Sequence, residues 1–407
     1  MKTGIKNAKI LLPKTDDMSA WACIACDQFT SQIDYWQNLE KTVAGKPTTL
    51  DLFYPEIYLN DNPDKRIAKI NENMKRYLAD GLVEELPEGM ILTVRSTPFV
   101  ERRIGIVCAI DLEEYQYSQK SEALIRSTEG TIEERIPPRL KIRKDAEIEF
   151  PHVMILFDDE KREIAETLYE KRDSLKKLYD FDLNMGGGHI EGYFIEKTDD
   201  LIEKISHLID SERVIKKYGK DDKFLFAVGD GNHSLATAKA HWNAIKENLT
   251  EEERKNHPAR FALAELVNIY DEGIYFRPIY RYVFGIDVNK FLNGLKQVDG
   301  GKIRVHANKV TVKVDGKNAL PEGIRAVDAY IKKYLEEFGG EVDYVHGDDD
   351  LKNLVDAKED AVGIMFEEMD KKDLFKYVST TGALPRKTFS MGEGIEKRYY
   401  LEGRRIK

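Results

Sequence analysis

Apolar residues recur along this chain with two periods, and the periods trade places many times. Residues 8–12 and 20–26 are short apolar runs, which predict buried strands. SQIDYWQNLEKTVAG then sets Ile33, Trp36, Leu39 and Val43 on one helical face. NPDKRIAKINENMKRYLADG predicts a second helix, opened by Asn62 and Pro63, lined by Ile67, Ile70, Met74 and Leu78, and stopped at Gly81. MILTVRSTPFVERRIGIVCAIDLEEY reads as two β-rich runs joined by a charged turn, a hairpin. IEFPHVMILFDD predicts a buried strand, and EKREIAETLYEKRDSLKKLYDF a surface helix. NMGGGHIEGYFI is a glycine-rich turn leading into a strand, and TDDLIEKISHLID is a helix.

FLFAVGD is a strand, and SLATAKAHWNAIKENL is a helix that follows it after a single tight turn. Beyond LAELVNIYDEGIYFRPIYRYVFG, the runs VDYVHG, DDLKNLVDAK, AVGIMFEEM and KKDLFKYVST alternate strand and helix. This pattern predicts a mixed α/β (α+β) protein: a core over residues 1–290 and a smaller α/β unit over 291–407.

The 407 residues carry a formal charge of −10, which argues against a general nucleic-acid-binding surface, and no helix-turn-helix is evident. No run approaches about 18 apolar residues, and the amino end lacks a secretory pattern, so a cytoplasmic setting without membrane contact is expected. Cys23, Cys26 and Cys108 are too few and too unevenly spaced for a disulfide framework. Cys23 and Cys26 have zinc-like spacing, but no second pair completes four ligands, so buried structural thiols are expected.

Three stretches carry candidate chemistry. In Gly229-Asp230-Gly231-Asn232-His233-Ser234, two glycines permit a sharp turn and a close approach to a ligand. The following helix offers amide N–H groups and a positive dipole end to an anion. His233 and Ser234 can donate to phosphate oxygens, and Asp230 can hold a metal or orient a hydroxyl. The turn is neither a Walker loop nor a hydrolase nucleophile elbow. Asp230 as a mere cap and His233 at the surface is the plainer alternative.

The second stretch runs from Ile125 to Arg143. Pro137 and Pro138 exclude one long helix, so Arg126, Arg135 and Arg139 are read as loop arginines beside Thr128 and Thr131, suited to oxyanions. Glu129 lies among these threonines as a candidate base or metal ligand; a surface loop of compensating charges fits equally well. In the third stretch, Asp27, Gln28, Thr30 and Ser31 form either the edge of a polar pocket or the cap of the helix around Trp36.

Taken together, ACDQFTSQIDYW, LDLFYPEIYL, LIRSTEGTIEERIPPRLKIR, the DGNHS turn, FRPIYRYVF and LPRKTFSMGEGIEKRYY resemble a bacterial and archaeal family, domain of unknown function 1015. The turn also resembles the Asp-Gly-His-x-Arg turn of the ParB-like superfamily, which contains free serine kinases and CTP-binding partition proteins. Asp230, Gly231 and His233 match that turn when it is read as Asp-Gly-x-His. Asn232 and Ser234 stand where the common form has His and Arg, so the missing cation is expected from Arg126, Arg135 or Arg139.

The resemblance implies a ParB/serine-kinase-like core and a phosphotransferase acting on a small hydroxylated metabolite, with free L-serine as acceptor and O-phospho-L-serine as product. ATP, ADP or pyrophosphate would be the donor, with Mg2+ held by Asp230. Glu129, Asp230 and His233 would be catalytic. Arg126, Thr128, Arg135, Arg139, Gly231, Asn232 and Ser234 would hold the donor, and Asp27, Gln28, Thr30 and Ser31 the acceptor. A nucleotide-binding switch with slow hydrolysis and a non-catalytic binding module are the alternatives. The oligomeric state is left open.

Overall fold

The computed structural model describes residues 2–59, 61–130 and 136–407, apart from the side chain of Pro138. The chain divides into two compact units. The first comprises residues 1–274, 379–382 and 393–407, and the second residues 275–378 and 383–392. The second unit therefore lies within the sequence of the first. The boundary expected near residue 290 differs in two ways: the division falls earlier, and the segment Glu393–Lys407 returns to the first unit. That return is made by backbone pairing between distant residues, which local patterning does not register.

The first unit is built on an eleven-stranded mixed sheet. Nine strands run in the order Tyr115–Gln116, Ile125–Ser127, Phe226–Asp230, Met154–Phe157, Phe261–Asn268, Arg103–Asp111, Val83–Ser96, His189–Ile195 and Lys176–Asp182. Ile5–Lys6 and Ala8–Pro13 pair with Arg103–Asp111 and Val83–Ser96. All eight residues of Phe261–Asn268 are buried, as expected for a strand with neighbours on both sides. Its centre carries Glu265, and Gly105 opposite makes the room: a Cβ there would lie 2.2 Å from Glu265 Oε1. Thr93 Oγ1 at 3.0 Å and Tyr400 Oη at 2.5 Å donate to Glu265, and Arg103 is ion-paired with it. These partners offset the desolvation of a buried charge.

The predicted helices at Ile33–Val43 and Pro63–Ala79 form, with Trp36, Leu39 and Val43, and Ile70 and Met74, buried. The hairpin of Val83–Ser96 and Arg103–Asp111 is antiparallel, as its pattern implies. Two expectations are corrected. Residues 160–181 do not form one helix: Ala165–Glu170 is a short helix, and Lys176–Asp182 is a strand paired with His189–Ile195. Residues 20–26 are not a strand but a 3-10 turn followed by an isolated bridge from Ile24 to Arg398. The three thiols are free, with Cys23 and Cys108 buried.

The second unit is a five-stranded antiparallel sheet in the order Val310–Asp315, Lys302–Ala307, Ala361–Phe366, Tyr280–Phe284 and Glu341–Val345. Helices Val288–Leu295 and Leu320–Phe338 share an apolar cluster with one face, through Phe291, Ile324, Val327 and Ile331. Helix Asp348–Asp356 places Leu351 and Val355 against Tyr280, Tyr282 and Met365 on the other. No helix among the described residues is long and apolar enough to cross a membrane.

Candidate active site

Two parallel strands set up the site. Ile125–Ser127 pairs with Phe226–Val228 in parallel register, so both chains leave the sheet on the same side. One exit is Thr128-Glu129-Gly130 and the other is Asp230-Gly231. Thr128 Oγ1 donates to the Val228 carbonyl at 2.7 Å and ties the two exits together. Ser127 Oγ lies 2.6 Å from the Glu129 carbonyl and 2.8 Å from Asn232 Oδ1. Met154–Phe157 runs antiparallel on the far side of Phe226–Asp230 and brings His152 alongside Asp230.

Gly231 takes φ +79° and stands at the N-cap of helix Asn232–Lys246. A Cβ here would lie 2.4 Å from the His152 carbonyl, so the turn requires glycine on two counts. The Gly231 N–H donates to Asp230 Oδ1 at 2.8 Å. The positive end of the following helix dipole adds to this anion-favouring turn.

Lys397 completes the cluster from the far end of the sequence. Ala25 N–H donates to the Lys397 carbonyl at 2.8 Å, and Tyr399 N–H to the Cys23 carbonyl at 2.9 Å. This pairing lays Lys397 beside Asp230, with Nζ 3.2 Å from Oδ2. His152 Nε2 lies 3.3 Å from the same oxygen. Burial alone would raise the Asp230 pKa, but Lys397, His152 and the Gly231 N–H reverse that and hold it well below the usual carboxylate range. Asp230 is therefore an anion, and the His152 Nε2–H donates to it. Burial opposes the Lys397 charge; Asp230, then Asp27 and Glu129, outweigh it and hold the Lys397 pKa above the usual lysine value. Burial, with Asp27 adding to it, pushes the Cys26 thiol up to about 12, so this thiol is not an activated nucleophile.

The expected site residues fall into distinct places. Asp230, Gly231 and Asn232 meet Ser127, Thr128 and Glu129 at the turn, and Asp27 acts on Lys397 through its charge. Asp27 is exposed and accepts from Gln28 Nε2 at 2.9 Å; Thr30 and Ser31 are exposed in the same loop. His233 is half-buried in the first helical turn, and Ser234 is exposed. Arg126 is buried and engaged elsewhere: Nη1 and Nη2 both donate to Asp222, Nε donates to the Ala123 carbonyl, and Phe224 stacks beneath the guanidinium. Arg139 lies not in a loop but on helix Ile136–Asp145, ion-paired with Glu56. Pro137 and Pro138 sit in that helix's first turn, where a missing N–H is tolerated. Arg135 lies outside the described residues.

Two members of this cluster, His152 and Lys397, carry no functional signal in the sequence. His152 lies in a run whose pattern marks a strand, and Lys397 lies in LPRKTFSMGEGIEKRYY, where nothing in the local pattern sets that lysine apart.

Asp230 is in contact with the Lys397 ammonium, and Asp27 and Glu129 act on that ammonium through charge. Asp230 is a ligand of the type that a hard cation takes. Elsewhere among the described residues, Asp180, His189 and Glu191 come close enough to hold an ion, but Lys177 already bridges Asp180 and Glu191, at 2.5 and 3.2 Å.

Fold and site define a mixed α/β protein whose charged strand-to-helix turn is closed by a lysine from a distant segment. A family model described as a protein of unknown function (DUF1015) matches residues 7–372, and the chain belongs to that family. No curated protein matches. Among solved structures, a conserved hypothetical protein from Pyrococcus furiosus is similar at 12% identity and a TM-score of 0.37, covering 74% of this chain and 95% of that one. A free serine kinase in complex with AMP is similar at 11% identity and a TM-score of 0.38, covering 72% and 90%. SbnI with C-terminal truncation from Staphylococcus aureus is similar at 7% identity and a TM-score of 0.38, covering 70% and 82%.

Proposed function

We propose that this protein is a small-molecule phosphotransferase that moves a phosphoryl group from a nucleotide or pyrophosphate to the hydroxyl of a small metabolite, with free L-serine as the first acceptor to test. The observation that carries this reading is Lys397, held in contact with Asp230 and within the field of Asp27 and Glu129, at the amino end of helix Asn232–Lys246. Phosphoryl transfer calls for positioning and charge neutralisation more than covalent help from the protein. A cation, a glycine turn and a helix dipole at one place supply the anion-binding half. Nearby carboxylates supply the proton-accepting half.

Lys397 and the first turn of the helix, with Asn232, His233 and Ser234, bind the donor phosphates. Asp230 orients Lys397 and is the residue that would hold Mg2+, which when bound neutralises charge on the transferred group. His152 positions Asp230 through its Nε2–H. Glu129 accepts the acceptor's hydroxyl proton as the new O–P bond forms and the bond to the donor's bridging oxygen breaks. Asp27, Gln28, Thr30 and Ser31 line the acceptor side, where a carboxylate suits an amino group. Arg126 takes no part, because Asp222 already engages it. We place the enzyme in the cytoplasm.

The test is phosphorus NMR on the protein with magnesium, L-serine, and ATP, ADP or pyrophosphate in separate tubes. A phosphomonoester signal that requires both L-serine and one donor is the expected result. Donor hydrolysis without that signal would point to a nucleotide switch instead. No change with any hydroxylated metabolite would overturn the phosphotransferase reading.

A further inference from the structure

The second unit leaves one sheet edge uncovered in an unusual way. All six residues of the edge strand Val310–Asp315 are exposed, and Val310, Val312 and Val314 are 58, 54 and 38% accessible. Their register partners on the neighbouring strand are Ala307, Val305 and Ile303, three members of the apolar cluster beneath helices Val288–Leu295 and Leu320–Phe338. The apolar face of the sheet thus runs one strand beyond its helical cover. No other described strand pairs with the outer side of Val310–Asp315. Exposed apolar edges of this kind template further pairing unless they are blocked.

We propose that this edge is the docking surface for a second copy of the same chain, joined antiparallel about a twofold axis through Val312. Asn308 and Lys309 both have positive φ, 50° and 62°, which marks a two-residue hairpin turn. Such a turn makes Ala307 and Val310 a hydrogen-bonded closing pair, so pairing alternates from there. The backbone groups of Thr311, Lys313 and Asp315 therefore point to the open edge.

Registers that keep the valines on one face differ by steps of two residues, because a single-residue slip turns the side chains over. With Val312 opposite its own copy, Val310 meets Val314, Thr311 meets Lys313, and Asp315 comes opposite Lys309 of the second copy. Thr311 and Lys313 exchange hydrogen bonds, the valines form one continuous apolar strip, and the only charges in register are opposite. A shift of two residues one way sets Lys313 against Lys313; a shift the other way sets Lys313 against Lys309. Charge complementarity thus selects one register, and that register is self-complementary. An isologous contact closes at two copies, whereas pairing with the other sheet edge, Glu341–Val345, would be head-to-tail. A single strand pair buries less than a standard interface, so the dimer belongs to the weak, concentration-dependent class.

The experiment is sedimentation of the full chain over a range of concentrations, combined with cysteine cross-linking. A reversible monomer–dimer equilibrium is expected, weakened at least tenfold by Val312→Lys with the melting temperature unchanged, since that side chain is exposed. On the axis, non-hydrogen-bonded partners have Cα atoms about 4.5 Å apart, within disulfide range. Val312→Cys should therefore give a covalent dimer under mild oxidation, whereas Thr311→Cys, whose partner is position 313, should not. Reversing the charge with Asp315→Lys should weaken the dimer, and adding Lys309→Asp should restore it. A monomer at every concentration, open-ended oligomers, or equal cross-linking at positions 311 and 312 would overturn the proposal.

Discussion

Asp222 and Asp230 flank the same short strand, Phe226–Asp230, one before it and one at its end, and they meet different neighbours. Asp222 is closed off. Arg126 engages both its oxygens, Ser379 Oγ donates to it at 2.7 Å, and it is almost wholly buried. Asp230 keeps a fifth of its side chain accessible, and the ammonium it pairs with also lies in the field of Asp27 and Glu129. Both carboxyl pKa values are lowered, so the pKa direction alone does not separate them. The separation comes from what remains open after pairing. A buried, fully answered ion pair has no capacity left for a ligand; an accessible charge with surplus neighbours does.

The largest expected effect breaks the closed pair. Arg126→Ala leaves the Asp222 carboxylate buried without its main partner, which should cost about 3–5 kcal/mol. Urea denaturation would show the loss as a lower midpoint. In the intact chain burial opposes the Asp222 charge, but Arg126 and Ser379 outweigh it. The stability this lowered pKa supplies is present above about pH 4 and disappears on acidification through the folded pKa.

Next, Asp230→Asn should reduce phosphoryl transfer on the order of 100–1,000-fold while leaving the chain folded. If that variant unfolds as readily as Arg126→Ala and its remaining folded fraction is fully active, the distinction between the two carboxylates fails.

Glu402 supplies a third case. Burial pushes its pKa up to about 7, against the hydrogen bond from Tyr179. A raised carboxyl pKa means that the folded state holds its proton longer than the unfolded one. Stability should therefore fall as pH rises from about 4.5 to 7, by on the order of 3 kcal/mol, and level off above. Glu402→Gln should remove that slope in denaturation midpoints measured across the same window. The smallest expected effect belongs to Lys397→Met, which should weaken donor binding about tenfold by calorimetry, with a change in melting temperature of only a few degrees.

Local physics was legible in the sequence. Asn62-Pro63 opens a helix, apolar spacing marks its buried face, and the glycines around Asp230 announce a turn that the structure requires at Gly231. What depended on distant partners was not legible. Lys176–Asp182 carries enough charge to pass for a helix surface, and its strand character comes from pairing with His189–Ile195. Pro137 and Pro138 would break a helix in its interior, and the sequence does not mark where this helix begins; at its first turn they are compatible with it. Arg126 had the right chemistry for phosphate, but its partner Asp222 lies almost a hundred positions away. Lys397 had no pattern of its own, since its role follows from backbone pairing with Ala25 and Cys23.

The return of Glu393–Lys407 to the first unit has a consequence for synthesis. On the ribosome, Asp230, His152 and the glycine turn emerge and can fold well before Lys397 exists. Until then the Asp230 carboxylate lacks its ammonium partner. A chain cut short within the second unit would carry most of the large sheet yet hold an incomplete centre. Completion of this cluster therefore reports completion of the polypeptide through residue 397.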